Sequence, residues 1–533
     1  MTTPIPLSSE LPPGDERSRP ATTGDTSPFS TASSEEKASP TPTPKQDGDV
    51  EVLEWDDPND PANPVNFSKT RKWVITLSCL LGTLLIPLNG TSITVAHEQL
   101  DRVFNINESV FPHSYWIVTS WSVGGAVFIL VGLPLLEDLG VRLGYMIFYL
   151  FFLLMIIPQA LAPNFATLVI TRFFSGGCVT LLANTAVSII PDIWVGDKAR
   201  SVPVSLYILC YLMGSTLGPP LFAPVVQFLS TWRWIFYIQL IIYGTFLPFF
   251  YFTIRETRAD VILRRRAKNL RRTTGRSIYT RAELNQTSLI STLASSVYRP
   301  IYLLATEPVL IACTFWSAFS FGTVFLFTQS TEQVYIGLYG WNVWSTGYIQ
   351  IAIVIGEVLG WFASFYGTHL YFASEPRNTE TPGVPIPEAR LYVSIFGSFV
   401  GITGGMFVYA WTAYPQIHWI APTIGLGMVG FGIQTVVSAL ADYVVDIYAG
   451  SGYAASAVCS IAAGENLVAG FLPLAAQGMY TTLGFQWASS LLAFVALILS
   501  FAPVMFVWEG RWFRERSPFM RVGGQANASG VVS

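Results

Sequence analysis

The sequence predicts an all-α membrane protein in which twelve transmembrane helices form two six-helix halves. Hydrophobic residues make up 51% of the 533 residues and charged residues only 12%, whereas soluble domains carry about 25% charged residues. Apolar stretches long enough to cross a hydrocarbon core of about 30 Å recur along the chain. A basic segment at residues 254–299 divides these stretches into two sets of six.

The apolar stretches are too long and too numerous to be helices of a soluble core, which usually have about 10–14 residues. Each stretch is therefore predicted to be a membrane span. In chain order the predicted spans are residues 73–96, 113–136, 143–162, 165–190, 202–227, 234–253, 307–329, 345–366, 389–411, 418–440, 452–475 and 484–508.

The composition around the spans predicts five regions. Residues 1–72 are predicted to be a disordered cytoplasmic tail, because the first part of the chain is rich in Pro, Ser, Thr and charge and has few large apolar side chains. Residues 73–253 form the N-terminal six-helix half and residues 254–299 a basic cytoplasmic linker. Residues 300–508 form the C-terminal six-helix half, and residues 509–533 a cytoplasmic C-terminal tail.

The distribution of Lys and Arg predicts that both termini lie in the cytoplasm, since positive charge stays on the cytoplasmic side of short loops. This orientation places the linker run "RRRAKNLRR" inside and leaves only Arg102 and Arg233 outside. The run could be a nucleic-acid or nuclear-localisation patch, but its position beside membrane spans favours juxtamembrane charge. We therefore expect a multi-pass protein of the cell membrane with no nucleic-acid partner. Asn107 has the one glycosylation sequon in a predicted outside loop, so it is the expected glycan site.

Other classes of function lack their residue patterns in this sequence. The five cysteines lie in predicted spans and the four histidines are scattered without ligand spacing, so no metal site is expected. The sequence has no Walker-type loop or nucleotide fingerprint, and its spans contain no paired catalytic carboxylates or nucleophile motif. We expect no cofactor and no enzymatic activity; a membrane-embedded enzyme or a receptor is disfavoured.

Glu357 and Glu465 lie in the interior of predicted spans, where charge is costly. Glu357 is near the middle of the eighth span, too deep for its short side chain to reach water, so it must face protein or a cavity. Gln350, Glu357 and Ser364 recur every seven residues, and Trp361 lies on the same face. A static hydrogen bond to a neighbouring helix is the alternative to a coupling role for Glu357. Glu465 lies on an otherwise apolar face, where it could meet an arginine or reach the interface.

Glycine pairs predict two close helix contacts. Gly214 and Gly218 lie four residues apart in the fifth span, and Gly356 and Gly360 do so in the eighth, so a neighbouring helix can approach each pair. Gly218 precedes Pro219, whose ring lacks a backbone donor and costs a soluble helix about 3 kcal/mol. In a membrane, neighbouring helices must satisfy the freed backbone groups.

Several short motifs carry a resemblance to a known family. "GLPLLEDLGVRLG" begins at Gly132, "RFFSGG" at Arg172 and "GSTLGPPLFAP" at Gly214, and "EWDDPNDPANPVNFSKTRKW" precedes the first span. Together these motifs resemble the major facilitator superfamily, and specifically the twelve-span drug:proton antiporters of fungi. The resemblance extends over residues 54–521.

The resemblance implies the major facilitator fold and a set of gating residues. The motif of the fifth span marks exporters within the superfamily, so the resemblance implies export coupled to inward proton flow. The residues that occupy the gating positions are Glu137, Gly140 and Arg142 after the second span, and Gly214, Gly218 and Pro219 in the fifth.

Three residues are the candidates for proton coupling. The resemblance implies that Arg172 steers proton transfer by favouring a nearby anion; hydrogen bonding to the backbone at a helix crossing is the alternative. Glu357 is expected to be the principal acid of the second half because of its depth. Glu465 is the third candidate.

The candidate substrate cavity is less specified by sequence. Aromatic residues make up 14% of the chain and could stack on planar ligands. The resemblance implies a secondary active transporter that exports a small amphipathic fungal toxin or secondary metabolite by alternating access, similar to exporters of the planar quinone cercosporin. Polyamine or drug export and proton-driven uptake are the alternatives, and the expected partners of the monomer are substrate, protons and the lipid bilayer. The candidate cavity residues are Tyr207, Tyr211, Gln350, Trp361 and Gln434.

Overall fold

The computed structural model describes residues 46–47, 50–106, 114–229, 231–284, 288–380, 382–517 and 519–520. Within these ranges twelve helical segments are long and apolar enough to cross a membrane, which confirms the predicted number of spans. Numbered as spans 1 to 12, they are Lys69–Phe104, Trp116–Leu133, Val141–Ala160, Phe165–Ile193, Asp197–Phe228, Arg233–Thr253, Pro308–Tyr335, Val343–Arg377, Pro387–Thr412, Ile420–Tyr448, Ala454–Leu483 and Phe485–Arg516.

Spans 1 and 5 are broken near prolines. Pro87 in span 1 and Pro219 in span 5 lack the amide hydrogen that a continuous helix needs at those positions. The pieces of span 1 are Lys69–Leu85, Leu88–Thr91, the 3-10 turn Thr94–Ala96 and His97–Phe104. The pieces of span 5 are Asp197–Thr216 and Gly218–Phe228.

Spans 8 and 9 are irregular as well. A Cβ atom at Gly401 of span 9 would lie 2.7 Å from the Cα of Gly432 in span 10, so the missing side chain lets the two helices touch. Span 8 consists of Val343–Ile349, Ile351–Phe372 and the 3-10 turn Glu375–Arg377. Span 9 consists of the 3-10 turn Pro387–Leu391, Tyr392–Phe396, the π-helical Gly397–Gly404 and Gly405–Thr412.

The two halves of the molecule pack against each other through spans 2 and 11 and through spans 5 and 8. Between spans 2 and 11, Thr119 Oγ1 donates to the backbone oxygen of Gly470 at 2.8 Å. Between spans 5 and 8, the indole nitrogen of Trp361 donates to Ser205 Oγ at 3.3 Å. Any movement of one half against the other must rearrange contacts of this kind. We call the contact between spans 5 and 8 the 5/8 seam.

The segment between the halves is folded. Helix Ala259–Thr274 contains the basic run and is followed by strand Ile278–Tyr279, helix Arg281–Leu284 and helix Leu289–Thr306. The last of these helices crosses the predicted boundary between linker and C-terminal half at residue 300, because its apolar residues continue up to the start of span 7.

The prediction of disorder over residues 1–72 is wrong for the part that the structure describes. Strand Val50–Val52 pairs with Ile278–Tyr279 in parallel and with Gln46–Asp47 in antiparallel orientation. The acidic side chains that follow it pair with the linker: Glu54 with Arg281 at 2.8 Å, and Asp60 with Arg266 at 2.8 Å. Neither segment buries enough apolar surface by itself, but opposite charges and strand pairing hold the two together.

The helix of the last span is interrupted close to its predicted end at residue 508. It begins at Phe485 and meets a kink at Glu509, which has non-helical φ −116° and ψ 17°, and a second helical piece continues to Arg516. Arg514 pairs with Glu388 and, at 2.9 Å, with Glu380. These ion pairs hold the start of the predicted C-terminal tail against the start of span 9 and the segment before it.

Candidate functional site

A cavity of about 190 Å³ lies between the halves. We call it the central cavity, and we call the membrane face with the start of span 1 and the end of span 12 the terminal face. Asp197 and Arg200 of span 5 and Asp446 of span 10 line the mouth, which opens at the terminal face. Ser317 of span 7 and Glu465 of span 11 line its deep end.

Tyr207 and Tyr211, two of the candidate cavity residues, line the central cavity. Tyr207 and Tyr211 of span 5 stack with their centroids 6.2 Å apart and their planes 18° apart. Tyr211 also stacks on Phe321 of span 7 at 5.4 Å and 8°. The Tyr207 hydroxyl donates to Asn184 Oδ1 at 3.2 Å. The row of rings crosses from one half to the other: Tyr207 and Tyr211 line the cavity, and Phe321 is buried behind Tyr211.

Glu465 faces the central cavity and is 8% exposed. The Ser317 hydroxyl donates to its Oε1. Among the described residues no arginine, lysine or histidine pairs with Glu465. The structure therefore gives it a serine partner and access to the cavity in place of the arginine that sequence reasoning considered.

Glu357 occupies a different place, within the 5/8 seam. It is fully buried, and Thr216 of span 5 donates to its Oε1 at 2.7 Å, whereas its Oε2 has no hydrogen-bond partner in the described part of the chain. A Cβ atom at Gly360 would lie 2.7 Å from the backbone oxygen of Phe431, so span 10 closes over this face as the glycine spacing predicts. Glu357 thus lies between the two halves and away from the cavity wall.

Three candidate cavity residues lie in helix contacts, outside the wall of the central cavity. Gln350 donates to Thr331 Oγ1 of span 7 at 3.1 Å. Trp361 donates to Ser205 in the 5/8 seam, and Gln434 donates to Ser438 one turn along span 10 at 3.0 Å. Helical spacing placed these polar groups on inward faces, but a neighbouring helix covers each face before the cavity begins.

Arg172 is fully buried and bridges the breaks of span 1 to spans 2 and 4. Its guanidinium donates to the backbone oxygens of Asn89 at 2.5 Å, Gly90 at 2.6 Å and Ile117 at 3.2 Å. The break after Pro87 leaves carbonyl groups without helical N–H donors, and the guanidinium of Arg172 donates to these groups instead. No acidic side chain of the described residues contacts Arg172, so its geometry matches the backbone-bonding alternative.

The candidate gating motif after span 2 is held by the linker. Gly140 has φ +89°, a conformation that favours glycine, and ends the helix of span 2. Glu256 accepts the backbone N–H of Val141 at 3.1 Å and so caps span 3. Arg142 donates to the backbone oxygen of Tyr251 at 3.4 Å. The side chain of Glu137 lies outside the described set, as does the whole of Asn107.

The candidate gating motif of span 5 fits against the broken part of span 1. A Cβ atom at Gly214 would lie 2.5 Å from the backbone oxygen of Leu84, and one at Gly218 would lie 2.7 Å from the Ser92 nitrogen. Pro219 lacks the donor for the backbone oxygen of Ser215. That oxygen instead accepts the Thr91 hydroxyl at 2.7 Å. A neighbouring span therefore compensates for the proline, as membrane packing requires.

Sequence reasoning missed polar contacts at two opposite ends of the cavity axis. At the terminal face, Arg390 contacts Asp442 at 3.1 Å and Asp446 at 2.9 Å. The spacing of the two aspartates, four residues apart on one helix face, was a signal for a shared partner. At the other face, His97 Nδ1 of span 1 lies 3.1 Å from Glu332 Oε2 of span 7, which links the halves. No local pattern marks this second pair.

Curated relatives of this chain are transporters of fungi. The profile described as Major Facilitator Superfamily matches residues 79–463. The efflux pump atB of Aspergillus terreus is 33% identical over 76% of this chain and 84% of its own length. The MFS transporter cpaT of Aspergillus oryzae is 31% identical over 88% and 93%, and the citrinin biosynthesis cluster MFS transporter mrr1 of Monascus ruber is 30% identical over 88% and 93%.

Solved structures share the fold at lower identity. The proton:xylose symporter XylE aligns with a TM-score of 0.58 and 17% identity over 83% of this chain and 96% of its own. The human organic anion transporter MFSD10 aligns with a TM-score of 0.53 and 14% identity over 81% and 99%. Likeness at this level identifies the arrangement of the spans.

Proposed function

Because the chain belongs to the major facilitator superfamily and is a multi-pass membrane transporter, we propose that it exports a small amphipathic metabolite by proton antiport. The observation that carries this proposal is the central cavity, which lies between the two halves and opens at the terminal face. A site between halves that is open to one face is the arrangement that alternating access requires. The contact of His97 with Glu332 joins the halves at the other face.

The orientation of the protein in this proposal follows the positive-inside rule. The terminal face is the cytoplasmic face of the cell membrane, since it carries the basic linker helix Ala259–Thr274. The substrate then enters the central cavity from the cytoplasm and leaves on the outside. The transporter acts as a monomer, because both halves that enclose the cavity belong to one chain. This orientation keeps Asn107 as the proposed glycosylation site on the outside.

The substrate class is a planar toxin or secondary metabolite of the cercosporin type. The relatives named as an efflux pump and as a transporter of a biosynthesis cluster support export of such molecules. Tyr207 and Tyr211, which line the cavity, provide aromatic surface for such a ligand.

Proton coupling in this proposal rests on Glu357. A carboxyl group that is buried between the halves changes its surroundings when the halves move, so its protonation can be linked to their position. Glu465 faces the cavity and can meet the substrate. Arg172 positions the broken part of span 1 through its backbone contacts.

A direct transport measurement tests the proposal. Purified protein in liposomes is given cercosporin as the probe, with and without a pH gradient across the membrane. We expect accumulation to depend on the gradient, with protons and cercosporin moving in opposite directions. Movement of both in the same direction would support proton-driven uptake instead, and accumulation that ignores the gradient would overturn the coupling.

A second substrate class is favoured by one observation. Glu465 has no cationic partner in the described part of the cavity, and a buried carboxylate attracts a cation. A polyamine or a cationic drug would supply the missing charge. Faster transport of a planar cationic dye than of neutral cercosporin would favour this class over the first.

A further inference from the structure

The Thr216 hydroxyl lies between two acceptors that belong to different halves of the molecule. Its Oγ1 is 2.7 Å from Glu357 Oε1 in span 8 and 3.1 Å from the backbone oxygen of Leu212 in span 5. A threonine hydroxyl carries a single hydrogen. It can therefore donate to one of these oxygens at a time.

The protonation state of Glu357 determines which acceptor is used. An ionised carboxylate can only accept, so Thr216 must donate to it across the seam. When Glu357 gains a proton from the aqueous phase, the carboxyl group can donate to Thr216 Oγ1. The hydroxyl hydrogen is then released toward the backbone oxygen of Leu212. No covalent bond other than the new O–H of the carboxyl group changes between the two arrangements.

The Thr216 hydroxyl lies at the break in the helix of span 5, where backbone hydrogen bonds are missing. Thr216 is the last residue of Asp197–Thr216, and the helix restarts at Gly218. Pro219 and Pro220 lack the donors that would engage the backbone oxygens of Ser215 and Thr216. A change of hydrogen bonding at Thr216 therefore acts directly at the break.

We infer that Thr216 is the positioning residue for proton coupling: its hydroxyl reverses direction when Glu357 is protonated and transmits this change to the break in span 5. The inference rests on the proposed proton antiport. In the ionised state the bond across the seam is charge-assisted, and such bonds are roughly twice as strong as neutral ones. Protonation replaces it with a neutral bond and so loosens the 5/8 seam.

No other ionisable side chain in the described part of the chain contacts Glu357. The charged residues of the elements packed against it lie toward the terminal face. They are Asp197, Lys198 and Arg200 of span 5, His369, Glu375 and Arg377 of span 8, Glu388 and Arg390 of span 9, and Asp442 and Asp446 of span 10.

Infrared difference spectroscopy tests the inference without any substrate. Purified protein in phosphatidylcholine vesicles is titrated with acid while the carbonyl band of protonated carboxyl groups is recorded. The band of Glu357 is identified by its loss in Glu357→Gln. The variants are Thr216→Val, which keeps the shape of the side chain without its hydroxyl, and Thr216→Ser, which keeps the hydroxyl. Ser205→Ala is the matched control, because it removes the other hydrogen bond of the same seam.

We expect the midpoint of the Glu357 band in Thr216→Val to move to higher pH by about one unit, since the one donor to the carboxylate in the described part of the chain is lost. The band should also move to higher frequency, because the protonated group has lost its acceptor. Thr216→Ser should restore both properties, and Ser205→Ala should leave them unchanged. If Thr216→Val does not fold, Thr216→Ala is measured in its place.

An unchanged midpoint in the variant without the hydroxyl, or an equal shift in Ser205→Ala, would overturn the inference. This outcome is separable from failure of the proposed function. If Glu357→Gln retains pH-driven transport, the proposal that Glu357 couples protons to transport is wrong, even if substitutions of Thr216 shift the midpoint of the Glu357 band. If Glu357→Gln loses coupling and the band ignores Thr216, only the role of Thr216 is wrong.

Discussion

Glu357 and Glu465 are both buried carboxylates of the C-terminal half, but their surroundings differ. Glu357 lies in the 5/8 seam and accepts a hydrogen bond from the Thr216 hydroxyl of the other half. Glu465 faces the central cavity and accepts a hydrogen bond from the Ser317 hydroxyl of its own half. Movement of the halves changes the surroundings of the first, and occupation of the cavity changes those of the second. Burial alone therefore does not assign a role to a membrane carboxylate; its partner and its access do.

Neutralising each carboxylate in turn tests this comparison most directly. Glu357→Gln keeps the shape and the hydrogen bond but cannot ionise, so we expect pH-driven accumulation to fall by about tenfold or more. Glu465→Gln should keep the pH dependence and change the preference between a planar cationic dye and neutral cercosporin. Both are measured as liposome flux at several pH gradients. Unchanged pH dependence in Glu357→Gln would make Glu357 structural.

The comparison also requires span 5 to stay in close contact with span 1. A Cβ atom at Gly218 would lie 2.7 Å from the Ser92 nitrogen, so Gly218→Leu should displace the break beside Thr216. Overpacking costs about 1–3 kcal/mol, and we expect transport to fall by about tenfold with the protein still in the membrane. Gly244→Leu in span 6 is the control, because nothing lies within 4 Å of a Cβ atom there. Equal transport by the two variants would contradict the role of the break.

A substitution with a smaller expected effect tests the surroundings of Glu465 in the cavity. Ser317→Ala removes the donor to Glu465 and leaves its carboxylate in the cavity. A hydrogen bond contributes about 1 kcal/mol, so we expect substrate affinity to change by about fivefold. The pH dependence should stay as in the unmodified protein. A shift of the pH profile would show that Glu465 also takes part in proton coupling.

Glu283 lies outside the membrane and is paired with Arg271, so it serves as a reference for the two membrane carboxylates, Glu357 and Glu465. The hydrogen bond from Arg271, at 2.8 Å, lowers the pKa of Glu283 below its ordinary value of 4.5. A lowered pKa contributes stability above pH 4.5 that is lost as the pH falls through the folded value. Limited proteolysis of residues 254–299 should therefore accelerate at acid pH, and Glu283→Gln should be cleaved faster than the unmodified protein at pH 7. We expect this effect to be small because the pair is partly exposed.

Some of the site could be predicted from local patterns. The depth of Glu357 in an apolar stretch required a partner or a cavity, and the spacing of Gly356 and Gly360 indicated the close approach of a helix. The Gly214 and Gly218 pair likewise indicated a contact that the structure supplies with span 1. In each case the period of the helix and the size of the side chain were sufficient.

Other parts of the site depend on which helix covers which face. Helical spacing placed Gln350, Trp361 and Gln434 on inward faces, but neighbouring spans cover these faces and keep the three side chains out of the cavity. Arg172 donates to backbone oxygens that have no helical donor because span 1 is broken after Pro87. Backbone acceptors of this kind arise from the folded geometry, and no residue type in the sequence marks them.

The sequence by itself determined the number of spans, the division into two halves and the family, because hydrophobic length and local motifs are properties of short segments. Only the tertiary structure decided that residues 50–60 join the linker, that Thr216 meets Glu357, and that Glu465 faces the cavity. These contacts join residues that are far apart in the chain. They depend on how the helices are placed around one another, and a residue's own neighbours in sequence do not specify that placement.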